Sequence, residues 1–413
     1  MKLSVWTRIW RTKYGAALGS CILLQGILMA VFNPLLPIVL TEKIGLDKEA
    51  VTVYFLMIVG VDIAISLITG YLSDGIIARY KLVLVGGLIS ALGFLGIATA
   101  TEAPYVFIAG ALSVGLAVLF PQLFAVAKLG VVGDWERESQ TMGITILRTL
   151  FSFGFILGTA LSSLLARIMD IQAAFFIIAV VVLGLTVYAT VVLYRIEGFI
   201  RHNALTDAAD AKSPEKRSVS LPAYALVVPL IALVVLTGAD TTRQFYLSLT
   251  MFQLFADASI APIMFGITAA AELITMGLLG YLSSKFGEKV VIAVAALTGS
   301  LYFVLMAFSQ SLPILYGAQI FYAINVAALY GVAMAYVQRL LGERAGLGGG
   351  LYMMVLQFGS LVGILGPLLV TGYDQRIFII PAILCVAGAA LLMVGDRTTQ
   401  IEKRLQLIRD TPQ

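Results

Sequence analysis

Gly70-Tyr71-Leu72-Ser73 and Gly280-Tyr281-Leu282-Ser283 are one tetrapeptide written twice, 210 positions apart, and each copy closes a long apolar run just before a charged turn. A chain of 413 residues whose halves repeat in parallel reads as a duplicated membrane protein. Composition points the same way: 60% of the residues are hydrophobic and only 12% are charged, too little polar surface to cover such a core in water.

Crossing ~30 Å of hydrocarbon takes about 20 helical residues. Twelve apolar stretches reach that length: 14–40, 50–73, 82–100, 104–128, 141–166 and 171–194, then 222–250, 259–283, 289–309, 313–338, 347–371 and 376–395. The expected fold is all-α, with twelve transmembrane helices in two pseudo-symmetric six-helix bundles. The one long polar gap holds Arg195, Arg201, Lys212, Lys216 and Arg217 among Asp, Ala, Ser and Pro. It divides the chain into an N-terminal bundle (1–194), a cytoplasmic linker (195–221) and a C-terminal bundle with a short tail (222–413).

Lys and Arg are retained on the cytoplasmic side far more often than they are translocated. With both termini inside, 21 of the 27 basic residues fall in inner segments and only Lys43, Lys48, Arg167 and Arg376 in outer loops. Both termini are therefore expected in the cytoplasm, and the chain in the inner (plasma) membrane. The first apolar run is long and contains Gln25, Asn33, Pro34 and Pro37, so it reads as a retained helix and not a cleaved signal peptide. Cys21 and Cys385 lie in spans 1 and 12 and suggest neither a disulfide nor a metal site. Inner loops facing anionic lipid account for the net charge of +4 without nucleic acid.

The 210-residue offset pairs Asp62 with Glu272 and Asn33 with Arg243, so the repeat aligns polar positions too. In later helices an offset of 208 fits better, matching Ile156-Leu157-Gly158 to Ile364-Leu365-Gly366.

Gly70-Tyr71-Leu72-Ser73-Asp74, followed by Arg79 and Lys81, resembles the loop signature between helices 2 and 3 of the major facilitator superfamily. The resemblance implies that Gly70 permits close helix contact and that Asp74 caps a neighbouring helix and pairs with basic residues, a gating loop. The match departs at Ala78, where the family usually has Gly, and at Ser284, where the second copy lacks Asp. Within the superfamily, Pro121 through Lys128 with Arg148 resembles the helix 4 to 5 region of the bacterial sugar efflux transporter family. Gly266 through Glu272 with Gly280-Tyr281 and Phe286-Gly287 is similar to it as well, as is Gln338 with Arg344-Ala345-Gly346. That resemblance implies proton-driven export of sugars or glycosides.

Asp62, Arg148, Asp240, Arg243 and Glu272 are ionisable groups well inside spans, and each facing lipid would cost at least ~2.5 to 3.5 kcal/mol. They should face a cavity or one another. With Asn33, Gln122, Gln244, Asn325 and Gln357 they fall on spans 1, 2, 4, 5, 7, 8, 10 and 11. Spans 3, 6, 9 and 12 offer little beyond Ser and Thr, so every third helix is expected to face lipid while the other eight surround a central path.

Asn33, Gln122, Arg148, Asp240, Arg243, Gln244, Glu272 and Asn325 are the candidate substrate contacts. Amides, carboxylates and bidentate Arg suit sugar hydroxyls, and aromatic faces suit sugar C–H surfaces. Asp240 and Arg243, spaced i, i+3, could instead neutralise each other, with Arg243 snorkelling toward water. Gln122 follows Pro121, which can bend the helix; it and Asn325 line a cavity or pack between helices. At ~1.5 Å per residue, Arg148 and Glu272 lie about 10 and about 16 Å deep. They are the expected pair across the domain interface, because helices 5 and 8 adjoin in the superfamily. Asp62 and Glu272 are the candidate proton carriers: a carboxylate in a low dielectric suits a proton carrier working near neutral pH. Asp62 has a plainer reading, a structural group held by Ser, Thr or Tyr. His202, the only histidine, reads as a solvated linker residue, and Gly359, Gly363 and Gly366 as close-packing positions.

There is no phosphate-binding loop, no nucleophile with a placed histidine and no zinc spacing, so neither an enzyme nor a cofactor is expected. The preferred reading is a monomeric secondary transporter exporting a sugar or small glycoside in exchange for protons by alternating access. A multidrug/proton antiporter of the same fold is the first rival; a non-coupled channel or a membrane receptor is the second.

Overall fold

The computed structural model describes residues 8–73, 76–132, 135, 137–206, 223–340 and 345–409. Asp74 of the expected gating loop, Lys212, Lys216 and Arg217 of the linker, and Arg344 lie outside the described residues.

Every regular element among the described residues is helical. In chain order the long segments are α1 (Gly15–Lys43), α2 (Lys48–Ser73), α3 (Arg79–Thr99), α4 (Ala103–Val131), α5 (Arg137–Ile168) and α6 (Ala174–Thr206). They continue as α7 (Ala223–Phe255), α8 (Ile260–Phe286), α9 (Glu288–Phe308), α10 (Leu312–Leu340), α11 (Ala345–Leu365) and α12 (Ile379–Arg409). Eleven of the described helices are long and apolar enough to cross a membrane. Helix α7 carries the polar run Asp240-Thr241-Thr242-Arg243-Gln244 in its middle.

Breaks in the helices follow from proline and glycine. The regular part of α1 ends at Phe32, because Pro34 and Pro37 cannot donate to the hydrogen-bond ladder; the chain goes on through Leu36–Ile38 and a π-helical turn, Val39–Lys43. Helix α4 tightens into a 3₁₀ turn at Val114–Val118, just before Pro121. At Gly287, between α8 and α9, φ is +86°, a conformation that a side chain would strain.

Two helices outrun the expectation from hydropathy. Helix α6 extends to Thr206, into the polar gap, because Ile196 is buried and Phe199 packs edge-on against Tyr14 at 6.0 Å. Its Glu197 accepts the backbone N–H of Arg79 at 2.7 Å and so caps the start of α3. His202 therefore sits on helical backbone. Helix α12 runs to Arg409.

The chain divides into two compact units. Unit 1 comprises Met1–Ser213 with Ala256–Ala269, and unit 2 comprises Pro214–Phe255 with Ala270–Gln413. In unit 1, α1 lies against α5 with backbone in contact: a Cβ at Gly26 would sit 2.2 Å from the Phe151 carbonyl, and one at Gly154 would sit 2.2 Å from that of Leu23. In unit 2, α7 lies as closely against α11, where a Cβ at Gly363 would sit 2.4 Å from the Gly238 carbonyl. Small residues at helix contacts are the usual device in lipid, where apolar surface alone gives helices little reason to associate.

Both copies of the tetrapeptide make the same local bond. Ser73 Oγ donates to Gly70 O at 2.9 Å, and Ser283 Oγ to Gly280 O at 2.8 Å. The close helix contact implied for Gly70 is not made among the described residues, since a Cβ added at Gly70 or Gly280 would meet nothing within 4 Å. Tyr71 and Tyr281 are both exposed.

Candidate functional site

The expected i, i+3 pair on α7 is the centre of a larger cluster inside unit 2. Asp240 and Arg243 are both 1% exposed. Such groups are tolerated only when hydrogen-bonded and paired. The Tyr322 hydroxyl donates to Asp240 Oδ1 and the Tyr330 hydroxyl to Oδ2, the latter at 2.8 Å. Arg243 donates from Nε to the Tyr302 hydroxyl oxygen at 2.9 Å and from Nη2 to Gln319 Oε1 at 2.9 Å. Its guanidinium also lies 4.0 Å from the centre of the Tyr322 ring. Tyr322 is thus shared, with its hydroxyl on the carboxylate and its face under the cation.

Neighbouring elements hold these groups still. Gln319 donates in turn to the Leu315 carbonyl at 2.8 Å, which fixes its amide for Arg243. The Tyr302 and Tyr322 rings are 4.7 Å apart, and α7 is tied to α11 through Thr242 to Gly363 O at 3.0 Å and Tyr246 to Ile364 O at 2.9 Å. Tyr330 sits in a π-helical turn of α10, Ala328–Val332, and Glu272 on α8 lies within Coulombic range of its hydroxyl.

Two expectations change here. Arg243 does not snorkel, because unit 2 supplies its partners internally. Helix α9, expected to face lipid and bring no polar group, supplies Tyr302. Tyr302, Tyr322 and Tyr330 were absent from the candidates because tyrosine counts as apolar by composition; Gln319, an amide in span 10, was passed over as well. The legible signal was the polar ladder Gln319, Tyr322, Asn325 along α10, three residues apart in an otherwise apolar run.

The other candidates lie outside this hydrogen-bonded cluster. Asn325 is 3% exposed; its Nδ2 has no hydrogen-bond partner, and it fills the space left by Gly299, where a Cβ would come within 2.7 Å of its Cγ. In unit 1, Gln122 is 3% exposed with Oε1 unpartnered. Asn33 is exposed at the proline break of α1. Asp62, Arg148, Gln244 and Glu272 are half-buried, and Asp62, Arg148 and Glu272 each take part in a polar or electrostatic interaction. Of the loop motif, Arg79 is half-buried and Lys81 exposed. Away from the spans, Lys43 pairs with Asp170, and this hydrogen bond holds the Asp170 carboxyl below its usual range.

Among the described residues every regular element is helical, eleven helices are long and apolar enough to cross a membrane and Asp240 and Arg243 are buried, the features of a multi-pass membrane protein. The major facilitator superfamily model matches residues 18–255 and 223–409, and the chain belongs to that superfamily. Curated relatives include sugar efflux transporter B of Salmonella typhimurium, 25% identical over 82% of this chain and 84% of that one. Sugar efflux transporter A of Dickeya chrysanthemi is 24% identical over 90% and 92%. Among solved structures, the nucleoside transporter NupG superposes with a TM-score of 0.73 at 14% identity, covering 93% of this chain and 99% of that one. That likeness shows the fold.

Proposed function

We propose that the protein is a proton-coupled secondary transporter that exports sugars or small glycosides by alternating access. In this reading it has twelve transmembrane helices, both termini in the cytoplasm, an inner-membrane location and a monomeric working unit. One observation carries the substrate class: Gln122 and Asn325 keep buried amide atoms without a protein partner, in a chain whose curated relatives are named sugar efflux transporters. An amide both donates and accepts, as does a sugar hydroxyl, and an unmet amide in a low dielectric is costly until a ligand meets it.

Asn33, Arg148 and Gln244 complete the polar lining in this proposal, and Asp240 with Arg243 serves as the rigid frame behind it. Asp62 and Glu272, equivalent in the repeat, carry the protons, and the Arg148–Glu272 pair read from the sequence belongs to the same proposal. The test is reconstitution into proteoliposomes with an imposed pH gradient and labelled glucose or sucrose. Flux that follows the gradient, and that Asp62→Asn or Glu272→Gln uncouples while exchange continues, supports the reading. Flux indifferent to the gradient ends it.

A further inference from the structure

Unit 1 contains a second amide that nothing so far explains. Gln25, in the middle of α1, is 0% exposed, and neither Nε2 nor Oε1 has a hydrogen-bond partner. It presents two donors and an acceptor to a low dielectric, where each unmet group is destabilising. A leucine there would fill similar space with no such cost, so retaining glutamine needs a reason outside the hydrogen bonds of this state.

The surroundings supply one. The α1 segment Gly15–Phe32 touches the α4 segment Leu119–Val126, so Gln25 and Gln122, whose Oε1 is unmet among the described residues, lie on packed stretches of neighbouring helices. Backbone contact at Gly26 and Gly154 locks α1 onto α5 beside Gln25, which leaves α1 no freedom to slide until the amide finds a protein partner. Half-buried aromatic rings run along the same stretch: Phe120 to Phe124 at 4.7 Å, Phe120 to Phe151 at 5.1 Å and Phe151 to Phe155 at 6.4 Å. Phe151 provides the carbonyl that Gly26 abuts, so the rings adjoin the turn that carries Gln25.

We propose that Gln25 and Gln122, with the row Phe120, Phe124, Phe151 and Phe155, form a carbohydrate-binding subsite within unit 1. The amides take hydroxyls in the ring plane, and the phenyl faces take the C–H surface of the sugar. The site opens when α1 and α4 part, and the ligand then supplies the partners that Gln25 lacks in the state described. This rests on the sugar-export reading and assigns it a place in the molecule.

Gln25→Leu and Gln122→Leu, each purified in detergent, test it against glucose and sucrose by titration calorimetry and by melting without ligand. Both variants are expected to melt at or above the parent temperature in the absence of sugar and to bind at least tenfold more weakly. Melting is the readout that separates a ligand contact from a packing role, since a packing residue lowers it when removed. A Gln25→Leu variant that binds within twofold of the parent, or that melts well below it, overturns the subsite. If the parent itself binds neither sugar, the sugar reading fails and takes the subsite with it. Parent binding with intact Gln25→Leu binding removes the subsite alone.

Discussion

Two buried polar groupings, one in each unit, are treated in opposite ways. In unit 2, Asp240 and Arg243 reach Tyr302, Gln319, Tyr322 and Tyr330, so the charges are met by protein. In unit 1, both polar atoms of Gln25 and Oε1 of Gln122 are met by nothing among the described residues. The repeat makes the contrast sharper. An offset of 210 puts Ala30 where unit 2 has Asp240 and Asn33 where it has Arg243, and the 208 offset of the later helices puts Gln122 where it has Tyr330. At these positions unit 2 carries a charged network met by protein and unit 1 carries neutral amides, although unit 2 also keeps one amide, Asn325, whose Nδ2 is unmet among the described residues. The lesson is that a charge inside a span is not by itself a sign of a ligand site; an unmet hydrogen-bonding group is the better sign.

The comparison breaks most readily at Arg243. Arg243→Met leaves Asp240 buried without the cation and is expected to cost about 3–5 kcal/mol, read as a large fall in melting temperature. Tyr322→Phe keeps the ring under Arg243 but removes one donor to Asp240; it should cost about 1–3 kcal/mol, and a cost near zero would mean that the carboxylate does not depend on that bond. Gly154→Ala in unit 1 and Gly363→Ala in unit 2 each drive a Cβ into a carbonyl, and both should lose about 1–3 kcal/mol. Equal losses would confine the difference between the units to their polar groups.

The smallest effect is at the surface. Asp170→Asn removes a half-exposed pair with Lys43 and should cost no more than about 1 kcal/mol at pH 7. Because the folded carboxyl is held below its usual range, that contribution is present above about pH 4, the ordinary carboxylate range, and fades as pH falls through the lower folded value. Melting of the parent and of Asp170→Asn should therefore converge in acid.

Much of this fold was legible in the sequence, because length and hydropathy are strong signals in a membrane chain. Pro121 marked the irregular stretch of α4, whereas the break in α1 at Pro34 and Pro37 was not read from the sequence. The end of α6 was hidden because Ile196 and Phe199 stabilise helix inside a stretch that composition reads as linker. Asp240 and Arg243 were found by charge alone. Their partners were missed because Tyr302, Tyr322 and Tyr330 are apolar in bulk and polar at one atom, so only the fold shows which way the hydroxyl faces. Gln25 was legible as a residue but not as a site, since lacking a partner is a property of three dimensions.

The central claim is that the Asp240–Arg243 network of unit 2 supports the structure while the unmet amides Gln25 and Gln122 of unit 1 await a ligand. The most direct measurement is the rise in melting temperature caused by glucose or sucrose in Tyr322→Phe and Gln25→Leu, taken side by side with the parent. Tyr322→Phe should melt lower without sugar yet keep the parent's rise, and Gln25→Leu should melt no lower than the parent and lose the rise. A Tyr322→Phe protein that loses the rise, beside a Gln25→Leu protein that keeps it, would contradict the account.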